Sequence, residues 1–472
     1  MAGVVVVGAG LCGLSAALLL AGDGHHVTVL ERDPDLPPAA AEAAWSGWDR
    51  RGVPQFRQLH LLAPRWRQIV DREMPAVAAA LEAAGGLRAN PLRSAPDSMT
   101  GGWRAGDERY ELLTGRRPVV EAAVAEVARD TPGVEVHRGV AVAGLRTGEP
   151  SGDGIPHVTG VRTSSGEDLD ADLVVDAGGR RSPLPGWLSA LGGRAPVEEV
   201  EERGFVYYGR HFRSADGSIP PLLGGVLQHY DSVGTVTAPG DNGTWGVGIV
   251  ASAADAALRP LRDPDTWGRV LAAFPLVAHW ADAEPLDDAP SVMASIEDRR
   301  RRFVVDGCPV VTGVVAVGDS WACTNPSLGR GASLGLVHVV TLRDQLRAVP
   351  LEDRRGFALA FDQATDATVG AWYRATVTFD RHRLAEIHAQ IRGVAYRPDD
   401  PAWGRAKALE RGAVADPEVL RCLARVLSVQ ETPEEALARP GMLDAVLAAG
   451  AGWEDDVAPG PSRAELVEIV RG

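Results

Sequence analysis

The chain has 472 residues, 45% hydrophobic and 24% charged, a globular balance that excludes a disordered or fibrous protein and leaves room for two or three domains. Its formal net charge of −15 repels phosphate backbones and anionic membrane surfaces, which argues against nucleic acid as a partner. The four cysteines, Cys12, Cys308, Cys323 and Cys422, have neither Cys-x-x-Cys nor zinc-ligand spacing and read as reduced thiols of a cytoplasmic protein.

No Arg/Lys-rich leader opens the chain, so secretion is not expected. Residues 1–22 are uncharged and nominally reach the roughly 20 residues that cross a bilayer, but Gly8, Gly10 and Gly13 split them into strand, turn and helix, so no membrane insertion is expected. Residues 4–7 are a continuous run of valine, as expected for a strand buried on both faces of a parallel sheet. Gly8-Ala9-Gly10-Leu11-Cys12-Gly13 follows at once, and residues 11–21 predict an apolar helix. A second strand over 27–30 ends in Glu31, with Arg32 next to it.

The order strand, glycine turn, helix, strand, acid is the context of a dinucleotide-binding fingerprint. Gly8 permits the tight turn, Gly10 lets backbone approach a pyrophosphate, and Gly13 lets the helix pack close to the strand. The helix start offers N–H groups and a partial positive charge to phosphate, and Glu31 can accept from both ribose hydroxyls. A free 2'-OH suits FAD or NAD, and this motif leaves the two undivided.

Farther on, Arg50-Arg51-Gly52-Val53-Pro54-Gln55 precedes His60, and Arg117 opens a predicted helix through Val127. Residues 172–176 form another apolar strand, opening into Ala177-Gly178-Gly179-Arg180. Between 195 and 292 short alternating segments, 204–212, 223–229, 234–238 and 243–250, predict an antiparallel sheet. Residues 313–317 predict a third glycine-flanked strand, closed by Gly318-Asp319. The segment from Pro326 through Gly329, Arg330, Gly331 and Ala332 reads as a loop feeding a helix to about Leu346. Beyond 351 helical periodicity dominates, over 357–391 and again over 416–427.

These motifs together resemble the FAD monooxygenases of the para-hydroxybenzoate hydroxylase type, over most of residues 1–350. The segment 50–60, with 201–214 and 325–329, is similar to the bacterial FAD epoxidases of polyketide metabolism, the lasalocid type. The resemblance implies an α/β fold of three parts. Residues 1–195 and 293–350 would form a discontinuous Rossmann-like FAD domain of the glutathione-reductase type, with 50–105 partly lining the active site. Residues 196–292 would form a β-sheet substrate domain, and 351–472 a helical region.

By the same resemblance Gly8, Gly10, Gly13, Glu31 and Arg32 bind the ADP end and Asp319 the ribityl chain. Arg50 and Gln55 approach the flavin, Arg117 contacts the pyrophosphate or ribityl region, and Pro326, Gly329, Arg330, Gly331 and Ala332 line the isoalloxazine. A helix start at Gly331 would set donors and a positive dipole end against the negative charge of reduced flavin. Tyr207, His211, His229, Trp245 and Trp321 are candidates for the substrate pocket, together predicting an apolar substrate.

The implied activity is hydroxylation or epoxidation of a hydrophobic small molecule, a natural-product intermediate, with O2 as co-substrate and a flavin C4a-hydroperoxide as the oxygen donor. No catalytic side chain is assigned, because the flavin bears the chemistry. Electrons would come from NAD(P)H or a partner flavin reductase. In the hydroxylases an Asp-Gly pair linked to NADPH follows the second glycine strand, whereas here the pair is Gly178-Gly179. A dehydrogenase, oxidase or reductase on the same fold is the nearest alternative, and a non-catalytic flavin-binding partner a more distant one. The Trp-x-Trp-x-Ile-Pro motif and active-site lysine of flavin halogenases are not seen, and Lys407 is the single lysine among 48 basic residues. No metal is expected: His25-His26, and His382 with Glu386, lack a third ligand at a recognisable spacing.

Overall fold

A computed structural model describes residues 1–472 apart from 152–153, 202–203, 295 and 456–457. Glu202 and Arg203 of the 201–214 segment therefore lie outside the described residues. The valine run forms the strand Gly3–Val7, the middle of a five-stranded parallel sheet. Leu173–Asp176 and then Val314–Ala316 lie on one side of it, and His26–Glu31 and then Val134–Arg138 on the other. Val4 and Val6 point to a core formed with the helices Leu11–Gly22, Arg117–Asp130 and Gly331–Ala348, while Val5 points to the opposite face. Both faces are covered, and an uninterrupted β-branched strand is what such a position requires.

The antiparallel sheet predicted between 195 and 292 has the strands Phe205–Arg213, Leu227–His229, Val233–Pro239 and Thr244–Ser252, with Glu284–Pro285 at one edge and Ser291–Ala294 pairing beside it. Its outer face carries Tyr208, Phe212, Trp245, Val247 and Ile249, packed on the helix Pro264–Ala272 and on the last helix, Arg463–Arg471. The inner face carries glycines where the loop bearing Leu59 approaches: a Cβ at Gly209 or Gly246 would lie 2.6 or 2.5 Å from the Leu59 side chain. The predicted helical stretch 357–391 is two helices, Arg354–Thr365 and Ala371–Ile391, joined by the π-helical turn Asp366–Gly370.

Gly13 illustrates how closely the first helix is held, because a Cβ there would run into the carbonyl oxygen of Gly8. Gly22, at the other end of the same helix, has nothing within 4 Å of an added Cβ. Gly13→Ala is therefore expected to lower the unfolding free energy by about 1–3 kcal/mol through overpacking, whereas Gly22→Ala raises it by about 0.5–1 kcal/mol. Urea denaturation of the two variants checks this, and equal effects would show that the turn does not constrain the helix.

Candidate active site

Parallel pairing brings three distant strand ends together. Val7 pairs with Leu30 and with Asp176, and Asp176 pairs with Ala316, so the chain leaves all three glycine strands at one sheet edge. Gly8 turns away with φ +103°, and a Cβ on it would sit 2.7 Å from the Ala177 carbonyl oxygen. The second turn is fixed by Asp176, whose carboxylate accepts from the Gly178 N–H (2.9 Å) and the Ser182 hydroxyl (2.5 Å). It is tied to the third by the Gly179 N–H donating to Ser320 Oγ at 2.8 Å.

A cavity of about 530 Å³ runs along this edge. Its wall contains Gly8, Gly10, Glu31, Arg32, Arg50, Gln55, Arg117, Asp319, Pro326, Gly329, Gly331 and Ala332. Gly10 and Gly331 have the room a close-lying ligand needs: an added Cβ would meet only Arg50 at 3.9 Å in the first case and nothing within 4 Å in the second. Asp319 faces the cavity, and its carboxylate accepts no hydrogen bond from the described residues, although burial pushes its pKa up. A part-buried acceptor with unspent capacity beside a glycine cradle fits a ligand that brings its own hydroxyl donors.

A chain of charge lines the same wall. Arg50 bonds Glu31, the Glu121 carboxylate at 2.6 Å and the Ala9 carbonyl at 3.1 Å. Glu121 also accepts from Arg117 Nε at 2.7 Å, and Arg117 bonds His60 Nε2 at 2.9 Å. Since arginine can only donate, His60 Nε2 must accept, which leaves Nδ1–H to donate to the Gln58 carbonyl at 2.9 Å. Burial, then the Arg117 charge, push the His60 pKa down to about 3, so it is neutral. Burial opposes ionisation of Glu121, but Arg117 and Arg50 outweigh it and hold its pKa below the ordinary value. Cys12 and Cys323, also in the wall, are both pushed up to about 12 by burial and then by Asp319, so neither is a thiolate nucleophile at neutral pH.

Arg50 lines the cavity beside the first glycine turn, held by Glu31 and Ala9. Two expected positions are corrected. Gly13 packs beneath the turn and does not line the cavity. Arg330 is outside the wall: it points toward the helix Ala371–Ile391, with its guanidinium 4.9 Å from the Trp372 ring centroid and 3.5 Å from Thr376 Oγ1.

None of the five substrate-pocket candidates lines the cavity. Trp245 faces outward and donates to the Trp280 carbonyl at 2.8 Å, while Trp321 packs edge-on against His338. Tyr207 and His211 do lie on the inner sheet face, but Tyr207 donates to Asn325 Oδ1 at 2.5 Å and His211 pairs with Asp287 at 3.2 Å. His229 faces Glu410 at 3.3 Å. The apolar part of the wall includes instead Leu59, Leu61, Met293, Ile296, Val369 and Tyr373. Of the residues not predicted, Glu121 was signalled by its i,i+4 spacing from Arg117. Met293 and Tyr373 had no local signal.

A family model described as FAD dependent oxidoreductase matches residues 3–116. Protein Rv3254 of Mycobacterium tuberculosis is 31% identical over 394 residues, which cover 77% of this chain and 77% of that one. The chain belongs to the FAD-dependent oxidoreductases. This oxidoreductase is also 34% identical over 182 residues to kynurenine 3-monooxygenase of Salinispora arenicola, covering 37% of this chain and 36% of that one. Among solved structures, a flavoprotein/dehydrogenase from Cytophaga hutchinsonii shares its fold with a TM-score of 0.60 at 16% identity, over 95% of this chain and 98% of that one. Among the described residues no group of three or more His, Cys, Asp or Glu is placed to hold a metal, and no helix is long and apolar enough to cross a membrane.

Glu121 is the single carboxylate between two guanidinium groups, with 1% of its side chain exposed. Removing it leaves Arg117 without its bonded carboxylate, while Arg50 keeps Glu31, so Glu121→Ala is expected to cost about 3 kcal/mol of unfolding free energy at neutral pH. Its folded pKa is depressed, so this contribution is present above the ordinary value of 4.5 and is lost as pH falls through the lower folded value. Chemical denaturation of wild type and variant at neutral and acid pH checks both statements. A difference that does not shrink in acid would contradict them.

Proposed function

We propose that this FAD-dependent oxidoreductase is a monooxygenase acting on a hydrophobic small molecule held between the flavin and the antiparallel sheet. The observation that carries the reading is the cavity wall: apolar side chains line it together with the glycine turns, and among its described residues there is no lysine, no serine and no thiolate. Both wall thiols are protonated at neutral pH, and Lys407, the single lysine, is held 3.4 Å from Glu386 away from the wall. The difficult chemistry then falls to the cofactor, which when bound supplies activation of O2 and transfer of one oxygen atom. Partial similarity to a kynurenine 3-monooxygenase supports the same reading.

In this proposal the chain's own residues bind, orient and keep water out. Gly8, Gly10, Arg32 and the start of the helix Leu11–Gly22 receive the ADP portion, where backbone N–H groups and the helix dipole oppose the pyrophosphate charge. Glu31 is shared between the ribose and Arg50, and Arg117 is aimed by Glu121 and His60. Asp319 accepts from ribityl hydroxyls. Pro326, Gly329, Gly331 and Ala332 flank the ring, with the start of the helix Gly331–Ala348 supplying donors. Gln55, Leu59 and Leu61 close one side against Met293 and Ile296, excluding water from the reacting atoms.

The division of labour follows: residues 1–195 and 293–350 hold the cofactor, 196–292 cover the substrate, and 351–472 buttress both. Electrons come from NAD(P)H or a partner flavin reductase, and Gly178-Gly179, in place of the Asp-Gly pair of the hydroxylases, favours the reductase. The likeness of the 50–60 segment to polyketide epoxidases favours a natural-product olefin or phenol as substrate.

The test is oxygen labelling. Holoprotein supplied with NADH and a flavin reductase under 18O2, with a panel of apolar olefins and phenols, is expected to yield a product carrying one 18O atom by mass spectrometry. A product that has lost two hydrogen atoms and gained no label would replace the monooxygenase reading with a dehydrogenase.

A further inference from the structure

The helices Arg354–Thr365 and Ala371–Ile391 would form one long helix but for the π-helical turn Asp366–Gly370 between them. Such turns are rare, cost regular hydrogen bonding, and recur at functional sites. Here the turn packs on the helix Gly331–Ala348, and its Val369 enters the cavity wall together with Tyr373 one turn later. Trp372, between them in the sequence, is absent from the cavity wall, and the Arg330 guanidinium lies over its ring.

Tyr373 is 6% exposed, and its hydroxyl has no hydrogen-bond partner among the described residues. Polar groups on the neighbouring segments bond one another. Asn325 takes the Tyr207 hydroxyl at 2.5 Å, Asp298 takes the Asn325 N–H at 2.5 Å, and Arg330 reaches Thr376. The residue lines the cavity, and phenylalanine would fill the same volume without presenting a donor there. Burial, then the nearby Asp298 and Glu199 carboxylates, push its pKa up, so the group stays protonated and able to donate at neutral pH.

We propose that Tyr373 is a substrate-binding residue whose hydroxyl donates a hydrogen bond to an oxygen acceptor, a carbonyl or ether, on an otherwise apolar molecule in this cavity. The assignment rests on the reading of the cavity as holding an apolar molecule beside the flavin. It narrows the substrate class: pure hydrocarbons leave the hydroxyl unpaired, whereas an apolar molecule with one accepting oxygen on the Tyr373 side satisfies it.

The test compares wild-type and Tyr373→Phe holoprotein with 1-tetralone and its hydrocarbon counterpart tetralin as probes, following perturbation of the flavin absorption band. Phenylalanine is expected to leave thermal stability, the oxidised flavin spectrum and the flavin midpoint potential unchanged. It should weaken 1-tetralone binding by about tenfold and tetralin binding by less than about twofold, the size of one net hydrogen bond. Equal effects on both probes, no effect on either, or failure of the wild type to bind 1-tetralone overturns the assignment. A shift of the midpoint potential without any probe would give the hydroxyl to the flavin and likewise overturn it. Binding is read without turnover, so the outcome is independent of whether oxygen transfer is observed.

Discussion

The parallel pairing that sets Val7, Asp176 and Ala316 side by side is the constraint on which the site depends. Parallel strands all leave a sheet at the same edge, so three glycine-bearing turns far apart in the chain must open on common ground. Each turn then contributes what its residues allow. The first gives a left-handed glycine and a helix start, the second a carboxylate-braced loop, and the third the unpaired carboxylate of Asp319. The Gly179–Ser320 hydrogen bond ties the second turn to the third, so the two form one continuous rim.

Along that rim, charge is arranged to be used and to be contained. Glu31, Arg50, Glu121 and Arg117 alternate carboxylate and guanidinium along one path that ends on neutral His60, so that two guanidinium groups are presented to the cavity without leaving an uncompensated buried charge. The opposite wall is apolar and is brought close by the glycines on the inner face of the sheet, which make room for Leu59. A polar cradle facing an apolar roof suits a large anionic cofactor whose reactive end must be kept dry. Asp319 shows the cost of such a site. Its pKa is raised in the folded protein, so its ionisation weakens the cofactor-free fold as pH rises, until a ligand supplies donors.

The cradle was legible in the sequence because its constraints are local. A valine run before Gly-x-Gly-x-x-Gly, an acid ending the next strand and a Gly-Asp after a third strand each encode a backbone requirement that few other residues meet. The roof was legible only as a set of strands. Thr244–Ser252 is buried on both faces, so alternation carries no information about which side faces the cavity, and Trp245 was placed on the wrong one. Arg330 sits among cavity-lining glycines, yet its direction is set by Trp372 and Thr376, more than 40 residues later in the chain. Tyr373 depends on a π-helical turn and on packing against a distant helix, neither of which has a local signature.

In the proposed function this rim would hold FAD through the chain's own backbone cradle and Asp319. Reconstitution of the apoprotein with excess FAD, followed by gel filtration and visible absorption, tests it most directly. One FAD per chain is expected for the wild type, with affinity about 10- to 100-fold weaker in Asp319→Ala, the scale of a lost hydrogen bond to a charged group. A wild-type protein that emerges colourless would contradict the account, and an Asp319→Ala protein that binds FAD with undiminished affinity would remove Asp319 from it.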